Sequence, residues 1–412
     1  MKHVTLRSLP LLALGLGALS LQALPNGASS LNAHGNSRSI VPSAPGAPAR
    51  DPRLEGLRPS KGGVNASISQ LAQQDPRFAA GLALFDKDFH LADGLGAPGL
   101  NSDSCRGCHQ DPVIGGAGGL ELNVTRFGDD GSGTYPFQNL PGGQGLSKLY
   151  PPWTPIREEY DPLTATVFEQ RQTPTILGAG LIDAIFESAI LAGEDPTDRD
   201  GDGIFGVARL VSVAGGTEVG RFGWKAQAPR LRDFVMDAMG GELGITTPDD
   251  GRGFALLSDV DPTPDPELAP AEVDLMSYFL LRLPAPVRRE SDHFAEVSLG
   301  EALFESIGCA VCHTPTLASP HGPVALYSDL LLHDVMPAGY RGMSEPGAGM
   351  GLFRTPPLWG IRDTAPYMHD GRASSLETCI LAHESEADGV VAKFNGLTQA
   401  EQDALILFLE HL

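Results

Sequence analysis

The chain has 412 residues and a net charge of −22, which excludes a nucleic-acid partner held by a basic surface. Glycine (50) and proline (34) both exceed ordinary usage and predict a loop-rich fold, while the length suits two or three domains. The acid excess favours a basic redox partner through electrostatic steering, although acidity that serves solubility alone gives the same balance.

Residues 1–24 read as a secretory signal, with Lys2, His3 and Arg7 preceding an apolar run from Leu9 to Leu24. The run is short and interrupted by Pro10, Ser20 and Gln22, so a membrane helix is the weaker reading. No later stretch is long and apolar enough to span a bilayer, and a soluble mature protein is expected. Residues 25–66 are rich in Pro, Gly, Ala and Ser and read as a flexible tether.

Next comes Cys105-Arg106-Gly107-Cys108-His109, and the pattern returns at Cys309-Ala310-Val311-Cys312-His313. C-x-x-C-H is the attachment signature of c-type haem. Two thiols must reach the two vinyl groups of one porphyrin, and the adjacent His must turn onto the iron. Zinc half-sites need further Cys or His pairs, which are missing, and a redox dithiol needs no His directly after it. Four of the five cysteines stand in this pattern. Two covalent haems are therefore expected, with His109 and His313 as proximal ligands. Since c-type haem is attached on the far side of the bacterial inner membrane, the periplasm is the expected location.

The chain then repeats itself. Leu82–Phe85 before the first motif corresponds to Glu301–Phe304 before the second. Thr173-Pro174-Thr175-Ile176-Leu177-Gly178 corresponds to Thr355-Pro356-Pro357-Leu358-Trp359-Gly360, and the helical run Val273–Leu283 to Asp403–Leu412. Each motif thus has a leading helix, a T-P-x-[IL]-x-G segment and an amphipathic closing helix. Thr398 with Glu401 predicts a capping box at the start of the last one. The expected fold is mainly α: two cytochrome c-like haem domains, 67–286 and 287–412, with long loops and a few short strands. Trp359, inside the second T-P segment, is a candidate haem contact.

The two units differ in what could stand opposite the proximal His. In the second, Ser374 and Glu377 predict a capping box, after which Leu376, Cys379, Ile380 and His383 fall on one apolar helical face. His383 is then the candidate sixth ligand opposite His313, with Met368, Met336 and His333 as rivals. The corresponding stretch of the first unit, Ala179 to Asp200, has no His, Met or Tyr. Asp183 and Glu187 are i,i+4 neighbours there if Leu181–Leu191 is one helix, and are the candidate proton-handling acids above an open haem. Ordinary helix surface is the plainer reading of both, and Met236, Met239 or His90 could close the site instead.

Between the units, Asp198, Asp200 and Asp202 alternate before Gly203, as in the first half of a calcium loop. Arg209 stands where an EF-hand carries its bidentate Glu. Calcium and a plain Asp/Gly turn are both open. Trp224 is a candidate electron-hopping residue and Lys225 a candidate haem-propionate partner, with strand packing as the plainer reading. Cys379 reads as a small apolar residue.

Together the two C-x-x-C-H motifs, T-P-P-L-W-G, A-P-Y-M-H-D-G-R, G-R-F-G-W-K-A and D-R-D-G-D-G resemble the bacterial di-haem oxidoreductases described as peroxidases or "thiol oxidoreductases". More distantly they are similar to di-haem cytochrome c peroxidases and MauG-type proteins. The resemblance covers about residues 75–412. It implies an oxidoreductase with a reactive first haem, a second haem that relays electrons, a cytochrome or cupredoxin as redox partner and a small-molecule oxidant. In those relatives the residue fourteen after the His of A-P-Y-x-H-D-G is the distal ligand of the second haem, and that position here is His383. A plain electron-transfer cytochrome and an accessory redox protein of iron acquisition are the rival readings.

Overall fold

The structure is a computed structural model, and it describes residues 62–96, 101–128, 167–259 and 261–412. The expected signal and nearly all of the expected tether lie outside the described residues. The described chain begins with helices α1 (Gly62–Gln74) and α2 (Pro76–Phe85), then the single turn α3 (Cys105–Cys108). A ribbon of β1 (Val124–Gly128) and β2 (Val167–Arg171) precedes two short helices, α4 (Ala179–Asp183) and α5 (Glu187–Leu191). The ribbon β3 (Leu210–Val213) and β4 (Gly216–Val219) leads to α6 (Leu231–Ala238) and α7 (Pro270–Leu281). The second half opens with α8 (Phe294–Ile307). Two further ribbons follow: β5 (Leu317–Ser319) with β6 (Gly322–Val324), and β7 (Leu332–Asp334) with β8 (Leu352–Arg354). It closes with α9 (Leu376–Leu381), α10 (Asp388–Asn395) and α11 (Gln399–Leu409).

Among the described residues all four sheets are two-stranded antiparallel ribbons, so the fold is mixed rather than mainly α. Ribbons this small are not stable alone and need support from the rest of the fold, as where α5 lies on β4 and β5. No described helix is long and apolar enough to cross a membrane.

Local sequence explains where the helices begin. Asp75 accepts hydrogen bonds from the N–H groups of Arg77 (3.0 Å) and Phe78 (3.2 Å), and Pro76 fills the first turn of α2. Thr398 and Glu401 form the expected box at α11. At α9 the cap falls one residue later than expected. Ser375 caps the N–H of Thr378 at 3.1 Å, replacing the expected Ser374–Glu377 pair.

The repeat is a repeat of packing. In the first half α2 lies on α7, and a Cβ at Gly81 would collide with the carbonyl of Leu275. In the second half α8 lies on α11, and a Cβ at Gly300 would collide with the carbonyl of Ala404. Each crossing carries the same aromatic pair, Phe85–Phe279 with ring centroids 5.2 Å apart and Phe304–Phe408 at 5.4 Å. Each leading-helix Phe then reaches the His of its motif, at 6.5 Å for His109 and 6.3 Å for His313. The helix crossing therefore fixes the distance from core to motif histidine in both halves.

The halves are also sewn together. Trp359 of the second T-P segment is buried in the apolar core of the first half, its Cζ2 2.7 Å from where a Cβ on Gly178 would stand. Gly178 (φ 78°) and Gly360 (φ 67°) both take the left-handed conformation that ends each segment.

Replacing Gly300 with Ala should lower stability by about 1–3 kcal/mol, since the clash is with backbone and neither helix can yield without moving. Gly81→Ala should behave alike. Thermal denaturation of the two variants checks this, and unchanged melting would contradict the close crossings.

Candidate functional site

The second motif leaves α8 at Gly308, whose φ of 108° turns the chain sharply into Cys309–His313. The Nδ1–H of His313 donates to the carbonyl of Tyr327 at 3.0 Å, which leaves Nε2 as the nitrogen with a lone pair to offer. His383, one residue beyond the cap of α9, donates its Nδ1–H to the carbonyl of Cys379 at 2.7 Å, with the same result. Both histidines line one cavity and are close enough to interact electrically. Burial pushes the His313 imidazole down to about 4, assisted by the proximity of His383, and burial also lowers His383. Both rings are thus neutral at physiological pH, the form that binds a metal.

Leu376, Cys379, Ile380 and His383 all lie in the cavity wall, as the helical-face pattern predicts. The cavity has about 290 Å³ of free space and a largely apolar wall. Among the described residues all five cysteines are free thiols, and burial pushes Cys105 and Cys309 up to about 12. Protonated thiols beside a neutral imidazole and a large apolar wall fit a haem.

The rivals of His383 separate clearly. His333 donates one ring N–H to Asp329 (2.8 Å) and the other to Glu386 (3.0 Å). Burial works against its charge, but the hydrogen bonds to Asp329, Cys312 and Glu386 outweigh that and push it up to about 12. An imidazolium with both nitrogens occupied cannot ligate iron. Met336 and Met368 are in the cavity wall, with the Met368 sulfur 3.8 Å from the Cys379 thiol.

At the first motif, Nδ1 of His109 faces the carbonyl of Gly116 at 3.3 Å, and burial pushes this imidazole down to about 4. Among the described residues no histidine stands against His109 as His383 stands against His313. His90 is exposed at the start of a short 3-10 turn, and Met236 and Met239 are buried in the apolar core.

The expected acid pair is not built. The segment 181–191 is two short helices, α4 and α5, broken at Ala184–Phe186, so Asp183 and Glu187 do not share a helical face. Asp183 accepts from the N–H of Leu231 (2.7 Å) at the start of α6, and Glu187 from the N–H of Val219 (3.2 Å). Neither lines the cavity, although their neighbour Ile182 does. Lys225 is not available to a propionate either. Its ammonium has three donors, and all three are taken by the carbonyls of Gly349 (2.9 Å), Met350 (3.0 Å) and Leu352 (2.9 Å). Burial pushes it down to about 8.

Trp224 bridges the halves. Its indole N–H donates to the carbonyl of Gln172 (2.8 Å), and its own carbonyl accepts from the N–H of Arg354 (2.8 Å). Trp224 and Trp359 both line the cavity. The Asp198, Asp200 and Asp202 carboxylates gather within 4.8 Å of one another. Arg209, the twelfth residue of that loop, turns inward to the carbonyl of Lys225 and to Glu345, each at 2.7 Å.

Sequence reasoning missed Arg354, His369 and Glu386, which line the same cavity. The first two sit beside or inside motifs already singled out, but nothing in their spacing announces an inward direction. Glu386 accepts from Phe205 N–H (2.8 Å), Asp334 N–H (2.8 Å) and His333, and so pins the turn that follows His383.

Comparison with known proteins supports the same chemistry. Cytochrome-c peroxidase IdrP1 of Denitromonas iodatirespirans is 29% identical over 151 residues, covering 29% of this chain and 40% of that protein. Cytochrome-c peroxidase IdrP2 of the same organism is 30% identical over 131 residues, covering 26% and 36%. The chain thus spans well under half the length of these curated relatives. Among solved structures, a Kuenenia stuttgartiensis hydrazine synthase pressurised with xenon gives a TM-score of 0.41 at 15% identity, covering 95% of this chain and 100% of that one. A MauG-like protein associated with microbial copper homeostasis gives 0.27 at 22% identity, covering 36% and 54%. Both scores are too low for a shared fold to follow. Residues 165–412, more than half of the chain, match the family described as "Di-haem oxidoreductase, putative peroxidase". That span contains Trp224, the second C-x-x-C-H motif and His383, while the first motif lies ahead of it. The chain is a member of the di-haem oxidoreductase family.

Proposed function

We propose that this protein is an exported, periplasmic peroxidase-type oxidoreductase with two covalently attached c-type haems. Cys105 and Cys108 would hold the first and Cys309 and Cys312 the second. The observation that carries the reading is the asymmetry of the two sites: His313 shares a cavity with His383 and interacts with it electrically, whereas His109 has no such counterpart among the described residues. His313 and His383 would then hold the second haem as an electron relay, and the first haem, held by His109, would stay open to a small-molecule oxidant. A bound haem supplies one-electron redox chemistry at iron, and the chain positions it. Tyr327 and Cys379 carbonyls fix the tautomers of His313 and His383, Glu386 and His333 hold the turn behind His383, and Trp224 lies between the halves. The acid excess suits a basic cytochrome or cupredoxin as redox partner.

Calcium at the Asp198–Asp202 loop belongs to the same proposal. The Oδ1 atoms of Asp198 and Asp202 accept from Gly203 N–H (3.2 Å) and Ile204 N–H (2.9 Å), folding the loop so that three carboxylates converge. Phe205, next along the chain, donates to Glu386, so the loop is one hydrogen bond from the turn behind His383.

Three measurements test these assignments. Denatured protein should retain two haems through acid–acetone extraction, and the Cys105→Ala/Cys108→Ala variant should retain one. Free extraction of both would end the covalent assignment. The oxidised protein should give one low-spin and one high-spin EPR signal, bind cyanide or carbon monoxide at a single haem, and gain a second high-spin signal in His383→Ala. Two low-spin haems that refuse exogenous ligands in every redox state would instead make this an electron-transfer cytochrome. Chelation should lower the melting temperature and broaden the low-spin signal. An unchanged protein with no calcium by elemental analysis would remove the ion.

A further inference from the structure

His369 is 3% exposed and lies in the wall of the central cavity, stacked on Phe353 with centroids 3.8 Å apart. Its Nε2 is 2.9 Å from the hydroxyl of Tyr340, and its buried Nδ1 has no hydrogen-bond partner among the described residues. Burial pushes the imidazole down to about 3, so the ring is neutral and one nitrogen carries the single proton. The short contact is satisfied when Tyr340 donates to an unprotonated Nε2 and Nδ1 keeps that proton. The ring of Trp224 stands edge-on to His369 at 6.5 Å, and that of Tyr340 edge-on at 5.7 Å. Three aromatic groups in contact thus run outward from the bridge between the halves.

The outer end opens elsewhere. Tyr340 lines a second pocket of about 430 Å³, together with Gly351, Asp334, Glu384 and Asp388. Tyr340 therefore joins this acidic pocket, which it lines, to His369 in the wall of the central cavity. Its phenol is held protonated, because burial and the nearby Glu169 carboxylate raise its pKa well above the usual value. An electron can leave such a phenol only with its proton. His369 Nε2 is in place to take it, and Glu169 Oε2 is farther away at 3.4 Å.

We propose that Tyr340 is a redox-active residue that carries electrons from a cationic or neutral one-electron donor in the outer pocket to the Trp224 side of the cavity. In the oxidising half-step one electron passes from Tyr340 to a one-electron oxidant at Trp224. The phenolic O–H bond breaks and the proton forms an N–H bond at His369 Nε2, leaving a neutral tyrosyl radical beside an imidazolium. In the return half-step the donor supplies one electron, is itself oxidised by one electron, and the proton goes back to the phenolate oxygen. The oxidant is an oxidising equivalent taken from a peroxide at the first haem, so the physiological step rests on the function proposed above. The acidic rim selects the donor by charge, since Asp334, Glu384 and Asp388 repel anions.

The test uses the haem-loaded protein and a photogenerated ruthenium(III) polypyridyl oxidant, which needs no peroxide chemistry. Flash-quench EPR should record a tyrosyl radical in the wild type and lose it in Tyr340→Phe, while haem content and the low-spin signal stay as they were. His369→Gln, which keeps the phenol but removes the proton acceptor, should lower the radical yield and abolish its solvent isotope effect. A radical that persists in Tyr340→Phe, or none in the wild type, overturns the inference. If the photochemical radical forms at Tyr340 but peroxide fails to oxidise either haem, the relay stands and the peroxidase-type reading falls.

Discussion

Two histidines can present nitrogen lone pairs to one metal only if each has its own proton held elsewhere. Much of the second half of this protein serves that constraint. His313 donates its Nδ1–H to the Tyr327 carbonyl and His383 to the Cys379 carbonyl, and burial keeps both rings from gaining a second proton. Tyr327 is held in turn by Arg288 and Glu301, and the turn after His383 by Glu386. His333 is also buried, yet Asp329 and Glu386 flank it, so it becomes a fixed cation rather than a ligand. The same side chain in the same cavity takes opposite roles according to whether carbonyls or carboxylates meet it.

A second buried group of charges ties the halves away from the haem sites. Glu169 pairs with Arg171 (2.7 Å), Arg171 with Glu345 (2.8 Å), and Glu345 with Arg209 (2.7 Å), joining β2, the start of β3 and the loop before β8. Breaking one member would leave buried charge without compensation, which costs more than the pair itself contributes. The network adjoins Tyr340 through Glu169, so the electrostatic frame of the molecule and the aromatic chain share a residue.

The parts of this structure that depend on short-range pattern were legible in the sequence. The two motifs, the repeated leading and closing helices and the inward direction of His383 all follow from spacing, and the structure places them accordingly. The Asp183–Glu187 pair failed because periodicity cannot see the break at Ala184–Phe186, where the chain turns to let Asp183 reach Leu231. Lys225 failed for a related reason. A lysine in a G-W-K context looks available until the carbonyls of residues 349–352, more than a hundred positions away, are folded onto it. Four ribbons diluted the expected mainly α fold because strands of three to five residues leave little periodic signal. Tyr340 and His369 meet only through tertiary packing.

Trp359 sits in the core of the first half, against Gly178, though it is encoded far behind it. A chain emerging from its N-terminus therefore has the first motif available long before the residue that finishes the surrounding core. Until position 359 is out, the groove at Gly178 lacks its lid and the first motif stays in an unfinished fold. Folding thus has a built-in order: the core of the first half is complete only when the second half has been made and one tryptophan has filled the groove.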